Sequence, residues 1–174
     1  MDRVNVIGTT SSGKTTFCRR LAQTLNATYI ELDALLWEPN WTEASDEDLF
    51  TRVTEAVQAP RWVLDGNYSR TRPITWKNIN TVIWLDYSFP RTLWRCISRS
   101  IHRAMIQQEL WAGTGNRESF RRMFSQQSIV RWLFKSYWAN RRKNLALMND
   151  PQWSHIEFLH FRSPRQAQLF LDHI

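Results

Sequence analysis

The chain has 174 residues, of which 43% are hydrophobic, so it is long enough for one ordinary domain with a buried core and too apolar for a disordered tail. Its net charge is +7; residues 91–143 hold twelve basic and two acidic residues, a net +10, which leaves −3 elsewhere. The two cysteines lack metal-ligand spacing, and we find neither a secretory leader nor an apolar run of about 18 residues. These features predict a cytoplasmic protein without a membrane span.

Strands and helices alternate along the predicted chain. Short apolar segments predict strands at residues 3–7, 28–32, 61–64, 81–85 and 155–161. Helices are predicted between them at 14–25, from Ser45 to near Pro60, after Pro90, at 118–148 and from Pro164. This alternation, without a hairpin signal, predicts an α/β sandwich in three layers: one parallel sheet with helices on both faces, in a single domain 1–174.

The most specific motif is GTTSSGKT at residues 8–15, between the first predicted strand and helix. It matches the phosphate-binding loop, in which backbone N–H groups and a lysine surround phosphates and a hydroxyl reaches magnesium. A chance match, with Lys14 on the surface, is the alternative. We expect MgATP, with Thr15 as a metal ligand, at Gly8, Thr9, Thr10, Ser11, Ser12, Gly13, Lys14, Thr15 and Thr16.

Two aspartates end apolar strands and are candidates for the magnesium site. Asp65, in WVLDGNYS, precedes a glycine that lets a substrate approach, so it is the first candidate. Asp86, in TVIWLDYS, lacks such a glycine and is the second. A carboxylate that only caps a neighbouring helix is the alternative for either residue.

Asp33 is a candidate for the acceptor side of the site. It ends the second predicted strand and precedes ALLWEPNW, which cannot remain helical through Pro39. A carboxylate here would accept hydrogen bonds from an acceptor or take a proton from an attacking hydroxyl. The alternative is a loop carboxylate, with Trp37 and Trp41 serving as packing in a lid.

The basic segment contains arginines suited to phosphate. Like charges four residues apart repel on a helix, so a row of four predicts a nearby anion, although acidic neighbours would also relieve it. That row is Arg91, Arg95, Arg99 and Arg103. For Arg91 and Arg103 we favour the solvated alternative. A later segment hinged at Gly113 and Gly115 is expected to close over the nucleotide, and Arg117 is its first candidate for the transferred phosphoryl group.

Five segments together resemble the adenylate-kinase-like P-loop kinases, and more narrowly the small members labelled DNA topology modulation proteins: GTTSSGKT, ELDALLWEPNW, WVLDGNYS, VIWLDYSFPRTLWRCISR and LHFRSP. The resemblance spans Val4 to about Leu171. It implies a nucleoside-monophosphate-kinase-like fold with a five-stranded parallel sheet, an acceptor-binding insertion at about 33–60 and a short helical lid at about 111–122.

The resemblance also implies roles for particular residues. It assigns Asp65 to magnesium, and the ATP side to Arg95, Arg99, Arg162, Ser163 and Pro164. The chain departs from nucleoside monophosphate kinases after Asp65, where it lacks their proline and carries its arginine, Arg70, one position later. The identity of the acceptor is therefore open.

These observations favour a kinase that transfers the γ-phosphoryl group of ATP, with Mg²⁺, to a nucleotide or another small acceptor. Its expected catalytic residues are Lys14, Asp33, Arg99 and Arg117. An anionic acceptor phosphate would need cationic groups, whereas a hydroxyl acceptor would make Asp33 the base. The alternatives are a nucleic-acid-associated regulatory protein, whose basic segment follows a phosphate backbone, and a slow NTPase without a dedicated acceptor.

Overall fold

Five parallel strands form the central sheet, in the order β2-β5-β1-β6-β7. The computed structural model describes residues 1–174 except 124, 126 and 127, and does not describe the side chains of residues 122 and 123. The strands of this sheet are β1 (Arg3–Gly8), β2 (Thr28–Glu31), β5 (Trp62–Asp65), β6 (Thr81–Leu85) and β7 (Glu157–Phe161).

Helices cover both faces of the sheet. Alternate residues of each inner strand point to opposite faces: Val4 and Val6 of β1 pack in one apolar cluster, and Ile7 packs in the other. The helices are α1 (Lys14–Thr24), α2 (Leu32–Leu36), α3 (Asp46–Ala56), α4 (Arg72–Thr75), α5 (Phe89–Ile106), α6 (Phe120–Met123), α7 (Ile129–Met148) and α8 (Pro164–Asp172). The predicted three-layer α/β fold is confirmed.

The strand order decides which loops meet at the carboxyl edge of the sheet. β1 lies between β5 and β6, and Val6 of β1 is in register with Asp65 of β5. The loop after β1 therefore lies beside the ends of strands that come some fifty and seventy residues later in the chain. In parallel sheets of this kind, ligands bind at the edge where the strand order reverses.

Several predicted boundaries were wrong. Asp33 does not end a strand; it lies in the first turn of α2, because β2 ends at Glu31. A two-stranded antiparallel hairpin, β3 (Trp37–Glu38) with β4 (Thr42–Glu43), was not predicted, because its turn needs positive φ at Asn40 and Trp41 and carries no glycine.

The long helix predicted at 118–148 is instead α6 and α7, and the predicted fifth strand begins at Glu157, after a turn in which Ile156 N–H donates to Trp153 O. The α3 start is as predicted, since the Ser45 hydroxyl accepts from Asp48 N–H. None of the described helices combines the length and the apolar composition needed to cross a lipid bilayer.

Candidate active site

The loop between β1 and α1 has the geometry of an anion cradle. A Cβ at Gly8 would lie 2.7 Å from Leu85 O and 2.9 Å from the Ser12 hydroxyl, so only glycine fits where the loop leaves the strand. Gly13, with a φ of 92°, is the N-cap residue directly before α1, and it has no side chain that could cap the helix. The first N–H groups of α1 therefore have no side-chain cap and can donate to an anion.

Buried hydroxyls of this loop need partners that an ATP phosphate would supply. The side-chain oxygens of Thr9, Ser11 and Ser12 are buried and have no hydrogen-bond partner among the described residues. The ammonium of Lys14 donates to the carbonyls of Gly8 and Thr9, each at 3.0 Å, which holds it over the loop. Because buried polar groups are normally paired, the loop fits a polyphosphate.

The hydroxyl and the carboxylate expected at magnesium lie in contact. Thr15 Oγ1 donates to Asp65 Oδ2 at 2.6 Å. The Tyr29 hydroxyl lies 3.2 Å from the same oxygen and 3.0 Å from Glu31 Oε2, and its single proton can be donated to either. Asp65 is only 5% exposed. Hard oxygen donors beside a phosphate site suit Mg²⁺, which keeps water and phosphate oxygens as its other ligands. Within the described part of the chain, no group of three His, Cys, Asp or Glu residues forms another metal site.

Asp86, the second candidate for magnesium, is used elsewhere. Both of its carboxylate oxygens accept from Arg141 Nε at 3.1 Å, and His160 Nε2 lies 3.0 Å from Oδ2. The residue does not line the cavity that contains the loop. The structure thus brings Asp65, and not Asp86, to Thr15.

Two arginines of α5 reach the loop. Arg95 Nη1 lies 3.4 Å from Ser12 O, and Arg99 Nη2 lies 3.4 Å from Thr10 Oγ1. Burial, and then the nearby charge of Arg103, lowers the pKa of Arg99. Its Nε is buried without a partner among the described residues. A desolvated guanidinium in this position is suited to bind a phosphate oxygen.

Arg117 was expected at the transferred phosphoryl group, and the structure does not bring it there. Its side chain is exposed and does not line the cavity. The reason is an isolated backbone bridge between Glu109 and Arg117, which closes the tip of the lid as a tight loop. Arg103, for which a solvated role was favoured, lines the cavity and pairs with Glu118 at 3.6 Å.

The lid is joined to the hairpin of the acceptor segment. Asn116, which is 2% exposed, accepts from Trp41 N–H and donates to Glu38 O, both at 2.9 Å. The two hinge glycines, Gly113 and Gly115, have φ values of 81° and 67° and adjoin open space. Asn116 therefore ties the lid to the hairpin, while Trp111 and Glu118 of the lid line the cavity.

Asp33 is a half-buried carboxylate in the cavity of the phosphate loop. The Tyr68 hydroxyl donates to Asp33 Oδ1 at 2.5 Å, and both residues line the same cavity as Lys14. Burial raises the pKa of Asp33, and the hydrogen bond from Tyr68 and the charges of Lys14 and Arg99 partly oppose that rise. The carboxylate is therefore oriented by one partner and lies within electrostatic reach of the phosphate-binding cations.

Three tryptophans form one cluster beside Asp33. Trp37 stacks on Trp111 with ring centroids 5.9 Å apart, and Trp41 packs edge-on against both. All three line the cavity, whose volume of about 2120 Å³ exceeds the roughly 300–1,000 Å³ of a single-ligand pocket. The cavity has room for a nucleotide and an acceptor.

The far end of the cavity is lined by α1 and α8. Pro164, which the resemblance assigned to the ATP side, lines it together with Phe17 and Ala167. Arg162 and Ser163 do not line it: Ser163 caps α8, and the Arg162 N–H donates to Gln166 Oε1 at 2.7 Å.

Sequence reasoning missed Tyr68, Tyr29 and Asn116 as parts of the site. Tyr68 follows the Asp65–Gly66 pair by two residues, and that position after a strand end was a usable signal. Tyr29 and Asn116 had no signal that pointed to the site, because the residues that they contact there, Asp65 and the residues of the hairpin, lie far away in the sequence.

The chain is similar in sequence to two curated kinases. The chain is 32% identical over 125 residues to a shikimate kinase of Synechococcus elongatus and equally to one of a Synechococcus sp. strain. Each match covers 63% of this chain and 64% of the relative's length. No family model matches the chain.

Solved structures of small kinases share the fold. An unliganded sugar kinase from Janibacter sp. superposes with a TM-score of 0.53 at 15% identity, covering 99% of this chain and 93% of the other. Shikimate kinases from Acinetobacter baumannii, in complex with shikimate, and Bacteroides thetaiotaomicron give 0.53 and 0.55 at 16% and 12% identity. They cover 99% and 98% of this chain and 92% and 94% of their own.

The chain has the fold of the P-loop kinases. Its loop, lid and acceptor segment surround one cavity of that fold. The narrower resemblance to DNA topology modulation proteins stays a prediction.

Proposed function

We propose that the protein is a kinase that transfers the γ-phosphoryl group of MgATP to a hydroxyl of a small acceptor. The observation that carries this proposal is Asp33, a carboxylate oriented by Tyr68 in the same cavity as the phosphate loop. The 32% identity to shikimate kinases supports the same class of reaction.

The residues of the loop would bind and orient ATP. The N–H groups at the start of α1, the loop hydroxyls and Lys14 would hold its phosphates, while Arg95 and Arg99 offset the charge on the group in transfer. Thr15 and Asp65 would hold Mg²⁺, which when bound offsets the negative charge on the phosphate oxygens.

Asp33 would act on the acceptor. The acceptor oxygen would form a bond to the γ-phosphorus while the bond from that phosphorus to the β–γ bridging oxygen breaks, and ADP would leave with the bridging oxygen. The hydroxyl proton of the acceptor would pass to Asp33. Tyr68 would keep the accepting carboxylate in one orientation, and the Asn116 contacts would hold the lid over the acceptor side and keep bulk water out.

Asp33→Asn tests this assignment because it removes the base while keeping the shape of the side chain. We expect acceptor-dependent ADP formation to fall by about 10²–10⁴-fold, the range for a lost general base. ATP affinity, measured by calorimetry, should change little. Asp2→Asn is a matched control, since Asp2 is exposed and paired with Arg61. Unchanged transfer in Asp33→Asn would refute the role of Asp33.

A further inference from the structure

The charges on the acceptor side of the cavity constrain what the acceptor can be. We define the acceptor wall as the cavity-lining residues of segments 31–43 and 67–70, together with Trp111. Its charged members are three carboxylates, Glu31, Asp33 and Glu43, and one cation, Arg70. Glu31 also pairs at 3.5 Å with Arg19, an exposed residue outside the wall. Even with Arg19 counted, three carboxylates face two cations, so negative charge is in excess on this wall.

Arg70 is already bound on both sides of its guanidinium. Its Nη2 donates to Glu43 Oε2 at 2.9 Å, and its Nη1 donates to Asp46 Oδ1 at 3.0 Å. Two carboxylates thus share one cation, and the group as a whole is negative. The charge of Arg70 is therefore already offset, and an anionic acceptor that reached its remaining N–H groups would lie beside two carboxylates.

The other arginines and lysines of the cavity lie at the phosphate loop, in ion pairs or in water. Arg95 and Arg99 contact the loop, where the phosphates of ATP would occupy them. Two more are paired with carboxylates, Arg103 with Glu118 at 3.6 Å and Arg20 with Asp172 at 3.7 Å. The basic residues that line the cavity from α7 have exposed side chains whose charge water screens: Arg131, Lys135 and Lys143. An anionic acceptor beside Asp33 would therefore meet repulsion that these groups do not offset.

The apolar part of the wall fits a ring with C–H faces. Trp37, Trp41 and Trp111 bring three indoles together beside these carboxylates, and Trp111 Nε1 lies 3.3 Å from Glu31 Oε1. Indole faces take up the apolar face of a ring, while carboxylate oxygens accept from its hydroxyls. We infer that the acceptor is a hydroxylated ring compound without negative charge, of the sugar or cyclitol class, which rests on the proposed kinase function.

A matched charge series of acceptors tests the inference. Methyl glucuronate and glucuronate share one ring and the same hydroxyls and differ in charge, and methyl shikimate differs from shikimate in the same way. We expect kcat/KM for ADP release to be at least tenfold higher for the uncharged ester than for its acid, which corresponds to about 1.4 kcal/mol.

The outcomes separate the two proposals. A best acceptor that is anionic, whether glucuronate, shikimate or AMP, would overturn the inference and leave the kinase function standing. Equal rates within each matched pair would also overturn it. If no acceptor of either charge raised ADP release above the rate in water, the proposed kinase function itself would be refuted.

Variants of the wall give an independent readout. Glu43→Gln frees Arg70 from one of its two carboxylates, so the ratio of kcat/KM for the uncharged acceptor to that for its acid should fall at least threefold. Glu55→Gln, a change at an exposed residue of α3, is the control. Trp41→Ala should raise the KM for the ring acceptor and leave the KM for ATP unchanged. Trp94→Ala is the control, because Trp94 is 72% exposed, and it should not raise the KM for the acceptor. An unchanged preference in Glu43→Gln, or an unchanged acceptor KM in Trp41→Ala, would overturn the assignment of the wall.

Discussion

Gly66→Ala should damage the fold and the site together. Gly66 follows Asp65 with a φ of 151°, and a Cβ there would lie 2.7 Å from both Cβ and Cδ1 of Leu32. Leu32 is 1% exposed and has no room to retreat. Because Asp33 is the next residue, any shift of Leu32 also moves the carboxylate that we propose as the base.

The cost has two parts. A side chain at this φ costs about 1–3 kcal/mol of backbone strain, and forcing extra volume into a packed site costs about 1–3 kcal/mol. The free energy of unfolding should therefore fall by about 2–6 kcal/mol, a large share of the roughly 5–15 kcal/mol of a whole domain. At about 2–4 °C per kcal/mol for a chain of this size, Tm should fall by about 4–24 °C.

Gly113→Ala is the matched control. It also has positive φ, 81°, but no atom lies within 4 Å of the added Cβ. It should cost only the left-handed backbone penalty of about 1–2 kcal/mol. Circular dichroism melts of both variants, with ADP release measured well below either Tm, give the comparison. Equal melting temperatures, or normal transfer by folded Gly66→Ala, would refute the packing argument.

Two further predictions concern single side chains. Lys14→Ala should weaken ATP binding roughly tenfold to a hundredfold, as expected for the loss of a charged hydrogen-bonding group, and should leave Tm unchanged. Lys77→Ala, a change at an exposed lysine, is the control. Unchanged ATP affinity of Lys14→Ala in calorimetry would count against the role of the loop. Tyr68→Phe removes the hydrogen bond that favours ionised Asp33, so the pKa of that carboxyl, already raised by burial, should rise further. Activity that depends on ionised Asp33 is lost as pH falls through this pKa, so the acidic limb of the kcat/KM profile of Tyr68→Phe should move to higher pH. In the control, Tyr137→Phe, the limb should stay in place. An unmoved limb in Tyr68→Phe would mean that Asp33 is not the titrating group.

Local motifs were readable from the sequence because their partners are close in the chain. The phosphate loop is eight contiguous residues between a strand and a helix, and its chemistry depends on backbone N–H groups that any chain with those glycines presents. The start of α3 is local in the same way, since the Ser45 hydroxyl accepts from the N–H of Asp48, three residues ahead. The alternation of strands and helices was enough to predict the layers of the fold.

Long-range pairing decided the rest. Asp65 is the last residue of β5 and Asp86 directly follows β6, so their positions in the sequence are nearly equivalent. Only the strand order brings the first to Thr15, while the second meets Arg141 and His160. The tryptophan cluster and the lid contact of Asn116 join segments about 70 residues apart. Helical spacing made Arg99 a candidate for the site, and the hinge glycines made Arg117 another. Only the tertiary structure shows that Arg99 reaches the loop and that Arg117 is exposed. Such contacts depend on which surfaces pack together, and packing is a property of the whole chain and not of a short stretch of it.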